Sequence, residues 1–154
     1  MKLQSAIEFL MTYGWAVLIL AVVLAALYAL GVLNPGTYAA QECVFSSGFS
    51  CLDYYLTSNG ILHINLQQST ADPIKVTALA CVQSGVSGNY LTSNQYLTVG
   101  SNAIFAVQCR STTGNFVSSI GGSFGGTVFV NYTDQLTKLP GAAVGKIAVK
   151  VSSV

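Results

Sequence analysis

Acid–base chemistry in this chain would fall to a single histidine, His63, and to the separated aspartates Asp53, Asp72 and Asp134. A general acid or base works only beside a positioned partner. His63 lies in GILHINLQ, where Leu62, Ile64 and Leu66 alternate with His63, Asn65 and Gln67. That period of two places the histidine on the polar face of a strand, as a surface residue rather than a catalyst. The aspartates adjoin turns or strand ends and form no pair. No GxSxG elbow is present for a serine nucleophile. The glycine-rich SSIGGSFGGT (118–127) lacks the Lys-Ser/Thr ending of a phosphate-binding loop and no helical pattern follows it, so it reads as a flexible or tightly turned loop. These residues argue against an enzyme, and no cofactor is expected.

Thiol chemistry is the stronger signal. Cys43, Cys51, Cys81 and Cys109 show neither CxxC nor Cys/His spacing, which disfavours zinc or another metal site. Lys2 precedes a long apolar run, so the positive-inside bias keeps the N-terminus cytoplasmic and exports the rest. An exported domain permits disulfides. Four cysteines allow three pairings. The favoured one is Cys43–Cys51, closing CVFSSGFSC, with Cys81–Cys109 tying two strands; free buried thiols are the alternative. Asn131-Tyr132-Thr133 is an N-x-[ST] sequon at an expected strand end, which makes Asn131 a candidate glycosylation site.

These residues belong to a chain of 154 that is 52% hydrophobic and 7% charged, with net charge +1. Ordinary soluble domains carry roughly 25% charged residues. Without clustered Lys and Arg there is no field for nucleic acid. After Cys51 the sequence alternates as strands do. PIKVTALACVQ places Ile74, Val76, Ala78, Ala80 and Val82 together, and GKIAVKVSS does the same for Ile147, Val149 and Val151. NYLTSNQYLTV, NAIFAVQC, GNFVSS and GTVFVNYT are further strands. Turn residues separate them at Ser58-Asn59-Gly60, Ser87-Gly88-Asn89, Gly100-Ser101-Asn102, Gly121-Gly122, Gly125-Gly126 and Pro140-Gly141. Short strands at this spacing imply an all-β sandwich or barrel with Greek-key connections, and an Ig-like sandwich is the expected form.

Ahead of them, Ala16–Leu33 is 18 residues without a charge, and from Gln4 the stretch is 30 residues, about 45 Å as a helix. That is long enough to cross a bilayer. Asn34-Pro35-Gly36 supplies a stop. The run is too long for a secretory signal core, although Ala39-Ala40 could be read as a weak cleavage site. A plain signal anchor is a better alternative. The expected class is therefore α+β: a long N-terminal hydrophobic helix followed by a sandwich head. Its parts are a possible leader (1–3), a transmembrane or assembly helix (4–33), a linker (34–42) and the head (43–154). Within the helix Ala21, Ala25 and Ala29 form a small-residue stripe flanked by Leu18 and Val22 that permits close helix approach. Gly14 allows a slight bend. Glu8 is the oddity, since an acidic residue costs roughly 2.5–3.5 kcal/mol at the centre of a membrane helix and less near its end. Snorkelling would explain its tolerance.

Gln4-Ser5-Ala6-Ile7-Glu8-Phe9-Leu10 resembles the class III signal peptide of archaeal type IV pilins, broadly Q-x-S-x-E-x-x-x-L, and QSAIEFLMTYGWA is similar to a recurrent variant of it. Ala6 and Thr12 depart from the pattern, where the family has Ser and Leu. The resemblance implies cleavage between Leu3 and Gln4 by a prepilin peptidase. It also implies extraction from the cytoplasmic membrane by an ATP-driven machine and homopolymerisation into an extracellular adhesive filament, helices inside and heads outside. Glu8 would be the fifth mature residue and would pair with a neighbouring subunit's N-terminal ammonium. The leader Met-Lys-Leu is very short; an unprocessed form, a cleavage site elsewhere or an already mature chain are all open. The alternatives are a minor pilin, an archaellin, or a membrane-anchored, pilin-like adhesive or sugar-binding surface protein.

Overall fold

A computed structural model describes residues 2–30, 40–46 and 48–153. The chain divides into two compact units, Met1–Ala39 and Ala40–Val154. In the first, helix α1 runs Lys2–Ala29. Its residues are mostly good helix formers, and it continues through Gly14. The Leu30 N–H adds a bond to the Ala26 carbonyl at 2.9 Å. The expected stop at Asn34-Pro35-Gly36 and the expected helix end at Leu33 lie outside the described residues, as does Met1.

The second unit is all strand: β1 (Glu42–Phe45), β2 (Phe49–Leu56), β3 (Ile61–Gln68), β4 (Ile74–Val82), β5 (Leu91–Leu97), β6 (Asn102–Ser111), β7 (Gly114–Asn115), β8 (Ser123–Asp134) and β9 (Pro140–Lys150). They form a single hydrogen-bonded path, β1-β9-β8-β4-β6-β3-β2, with β5 added to β4 and β7 to β6. The path nearly closes on itself. Its ends, β1 and β2, are joined by the Cys43–Cys51 disulfide, and Leu56 of β2 bridges Val151 beyond β9.

Two expectations are corrected here. The strands make one barrel-like sheet, not two stacked Ig-like sheets. The expected long hydrophobic helix is also not found: among the described residues no helix is long and apolar enough to cross a membrane.

The seams of the barrel explain the cysteines. The first half of β4 shares one edge with β5, from Ile74↔Leu97 to Leu79↔Leu91. The same edge then passes to β6, in parallel, for two pairs only: Cys81↔Cys109 and Val82↔Arg110. The Cys81–Cys109 disulfide staples this two-pair contact. One bridge thus joins the two end strands of the path, which do not pair, and the other a two-pair contact, and no cysteine among the described residues is free.

Inward side chains follow the alternation where strands are regular. Leu62, Ile64 and Leu66 are fully buried on β3, and Ile147, Val149 and Val151 near the C-terminus are buried with them. On β4 a register shift between Val76 and Ala78 interrupts the pattern. A bulge adds one residue and exchanges the faces. Leu79 and Cys81 therefore join the core cluster with Ile74 and Val76, while Ala80 and Val82 are buried outside that cluster and Ala78 is half-buried. GNFVSS forms only the two-residue β7, and Gly125-Gly126 is not a turn but part of β8, opposite Ala148 and Ile147. A Cβ on Gly126 would run into the Val82 carbonyl oxygen and lie 2.9 Å from the Phe124 ring. The glycine is there for close approach of strands. Pro140-Gly141 likewise opens β9 rather than forming the turn. That turn is built one step earlier, where the Asp134 carboxylate accepts the N–H groups of Leu136 (2.7 Å) and Thr137 (2.8 Å). The Thr137 bond holds the Asp134 carboxyl below its ordinary range, against a small desolvation, with Leu136 and Lys138 assisting.

Gly60 ends the β2–β3 turn at φ 79°. A Cβ there would strike the Phe116 carbonyl oxygen and sit 2.8 Å from Gln108 Nε2. Gly60→Ala is expected to destabilise the barrel by about 2–4 kcal/mol, from the left-handed backbone and the overpacking together. A urea midpoint unchanged from wild type would contradict this reading of the turn.

Candidate functional site

The residues expected to drive assembly all lie on α1. Glu8, Gly14, Ala21, Ala25 and Ala29 are exposed, and the alanines fall at i, i+4 and i+8 on one helix face. A Cβ on Gly14 would meet nothing within 4 Å. The side chains of Leu3 and Gln4, where processing is expected, lie outside the described residues. More telling is what surrounds the stripe. Val17 is 65% exposed, Leu18 65%, Ile19 51% and Leu20 62%. At 3.6 residues per turn these four neighbours span about 300° of the circumference. Met11, Trp15, Val22, Val23, Leu24 and Tyr28 extend the apolar exposure along the helix. A surface helix of a folded domain is apolar on one stripe; one that is apolar all round is built to be enclosed.

On the barrel, His63 and Asp53 line one small cleft of about 60 Å³ with Tyr54, Tyr55 and Asn65. The His63 ring lies flat on Tyr55, with centroids 4.6 Å apart and planes 9° from parallel. The Asp53 carboxylate instead accepts the Tyr54 N–H at 2.8 Å. Burial, with the Glu42 carboxylate adding to it, pushes the Tyr54 phenol up from its ordinary value. The two groups share a cleft without a hydrogen bond between them, so the arrangement has no proton-transfer geometry. Asp72 and Asp134 are elsewhere: the Asp72 carbonyl accepts the Gln68 side-chain amide at 2.7 Å, and Asp134 holds its turn. Among the described residues no group of three or more His, Cys, Asp or Glu could hold a metal.

Asn131 is not at a strand end. It lies within β8, paired on one side with Ala78 and on the other with Ala142. Its side chain is half-buried and its carbonyl accepts the Thr77 hydroxyl at 3.1 Å. A sequon paired on both sides is a poor acceptor for a glycan, which favours an exposed loop.

One residue escaped the sequence reading. Gln68 is fully buried. Its Nε2 donates to Thr70 Oγ1 and to the Asp72 carbonyl, while its Oε1 accepts the Gly100 N–H at 3.1 Å. It ties the β3–β4 connection to the β5–β6 turn. Its phase with Leu62, Ile64 and Leu66 was the available signal. The Cys43–Cys51 and Cys81–Cys109 bridges favoured from spacing are those present.

The chain matches no family model and no curated protein, so the pilin resemblance rests on residues 4–16 alone.

Proposed function

We propose that this protein is the subunit of an archaeal type IV pilus, polymerising through α1 into an extracellular adhesive filament with its barrel outside. The observation that carries the reading is the apolar exposure around the whole circumference of α1. One partner would cover one face. Several neighbouring helices cover all of them, and a filament core of many identical copies supplies those neighbours. The Ala21, Ala25 and Ala29 stripe lets two of these helices approach closely. Disulfides at both seams suit a barrel that works outside the cell.

Processing between Leu3 and Gln4 would leave Glu8 at the fifth position of the mature chain. Within the apolar filament core its carboxylate would pair with the ammonium of an adjacent subunit during docking. Each charge offsets the desolvation of the other, and removing one leaves the other stranded. Glu8→Ala is therefore expected to reduce filament number severely while the barrel and both disulfides form as in wild type. Counting filaments by electron microscopy, with a disulfide assay on the same cells, checks this. Normal piliation in the variant would refute the docking role. A chain found only as single membrane-bound copies would favour the anchored adhesive protein instead.

A further inference from the structure

Where β4 changes partner, β5 and β6 separate, and a cleft of about 130 Å³ opens between them. Asn89 and Tyr90, just before β5, form one wall. Gln108 and Arg110 of β6 and Asn115 of β7 form the other. Arg110 is the only arginine in the chain. It is half-buried, its Nε is enclosed with no hydrogen-bond acceptor, and no carboxylate lines the cleft. A buried donor left unmade is a standing cost, and a guanidinium has no neutral form in which to escape it. The rest of the cleft is tied down. The Arg110 carbonyl accepts the Gln83 N–H at 2.8 Å, and the Phe116 N–H donates to the Cys109 carbonyl at 2.8 Å. Gln108 Nε2 donates to the carbonyls of Asn59 and Gly60 at 3.1 and 3.2 Å, which leaves its Oε1 as an acceptor. The Cys81–Cys109 bridge lies one residue from Arg110.

We propose that this cleft binds a saccharide that carries a carboxylate, of the uronic-acid type. The Arg110 guanidinium takes the carboxylate in the charge-assisted contact that arginine geometry favours. The amides of Asn89 and Asn115 can each donate to and accept from ring hydroxyls. The Tyr90 ring, half-exposed, offers an apolar face to the C–H side of a pyranose. The small volume suits one acidic ring rather than a long stretch of glycan. The cleft lies wholly within Ala40–Val154, so the inference is independent of the filament reading.

A sole arginine gives a single side-chain Nε–H resonance, which makes the site directly visible by NMR. The full-length ¹⁵N-labelled chain in detergent micelles is titrated with glucuronate, glucose and acetate. Glucuronate is expected to shift the Arg110 Nε–H and the Asn115 side-chain amide saturably. Acetate should bind roughly tenfold or more weaker for want of the hydroxyl contacts, and glucose should leave both signals in place. In Arg110→Lys the Asn115 amide should report a glucuronate affinity roughly tenfold lower, with the dispersed strand spectrum retained. The inference is overturned if glucose shifts the same signals as glucuronate, if acetate matches glucuronate, or if folded Arg110→Lys binds as wild type does. Should the variant fail to fold, the three-ligand comparison on the wild type decides alone.

Discussion

Val22→Glu in α1 is expected to abolish filaments while leaving the barrel folded. Val22 is 60% exposed in the single chain and flanks the Ala21–Ala25 stripe. If neighbouring helices enclose it in the filament, the substitution buries a carboxylate with no partner in an apolar core. An ionised group in such a setting costs about 3 kcal/mol on insertion-type scales. That lowers the equilibrium constant for adding each subunit by about a hundredfold. The cost recurs for every copy, so polymerisation fails rather than slows. Val22→Leu, which keeps the surface apolar, is the control and should assemble. Filaments of normal number from Val22→Glu would mean that this face of α1 meets solvent in the assembly.

The second large effect concerns the barrel alone. Replacing Cys81 and Cys109 together by alanine removes the staple from a parallel seam of only two residue pairs. The sequence separation of 28 closes a loop whose freedom in the unfolded chain is worth about 3–4 kcal/mol in the loop-entropy account. Both cysteines are also buried in the core, so lost packing adds to it. The Cys43–Cys51 bridge closes a separation of 8 and should be worth less, about 2.5 kcal/mol. Urea unfolding without reductant should therefore rank the double variants, with Cys81→Ala/Cys109→Ala the less stable. The reverse order, or equal midpoints, would contradict the view that the β4–β6 junction is the barrel's critical seam.

What the sequence made legible was local. Regular alternation identified the buried faces of β3 and of the C-terminal strand, because a period of two needs no knowledge of the partner strand. The disulfide pairing was within reach because short loops close readily. What failed was non-local or set by backbone detail. Pairing of β1 with β9 joins distant parts of the barrel, and nothing in either strand announces the other, so one nearly closed sheet was taken for two stacked ones. The bulge in β4 exchanges faces without any glycine or proline to mark it. Gly125 and Gly126 looked like a turn because glycine's usual reason is conformational freedom; here the reason for Gly126 is the nearness of Val82 and Phe124. Composition spoke for a long apolar helix; among the described residues none is long and apolar enough to cross a membrane. As for the proposed sites, Glu8 and the alanine stripe stand out in the sequence as motif and spacing. The Arg110 cleft was not, since it arises where two strands diverge from a shared edge.

The central claim is that copies of this chain join through α1. Electron cryomicroscopy of surface material from cells producing the native chain tests it most directly. The account expects helical filaments with α1 packed against its copies along the axis and the barrels on the outside. Filaments whose core contains no α1, or the chain present only as dispersed single copies, would contradict it.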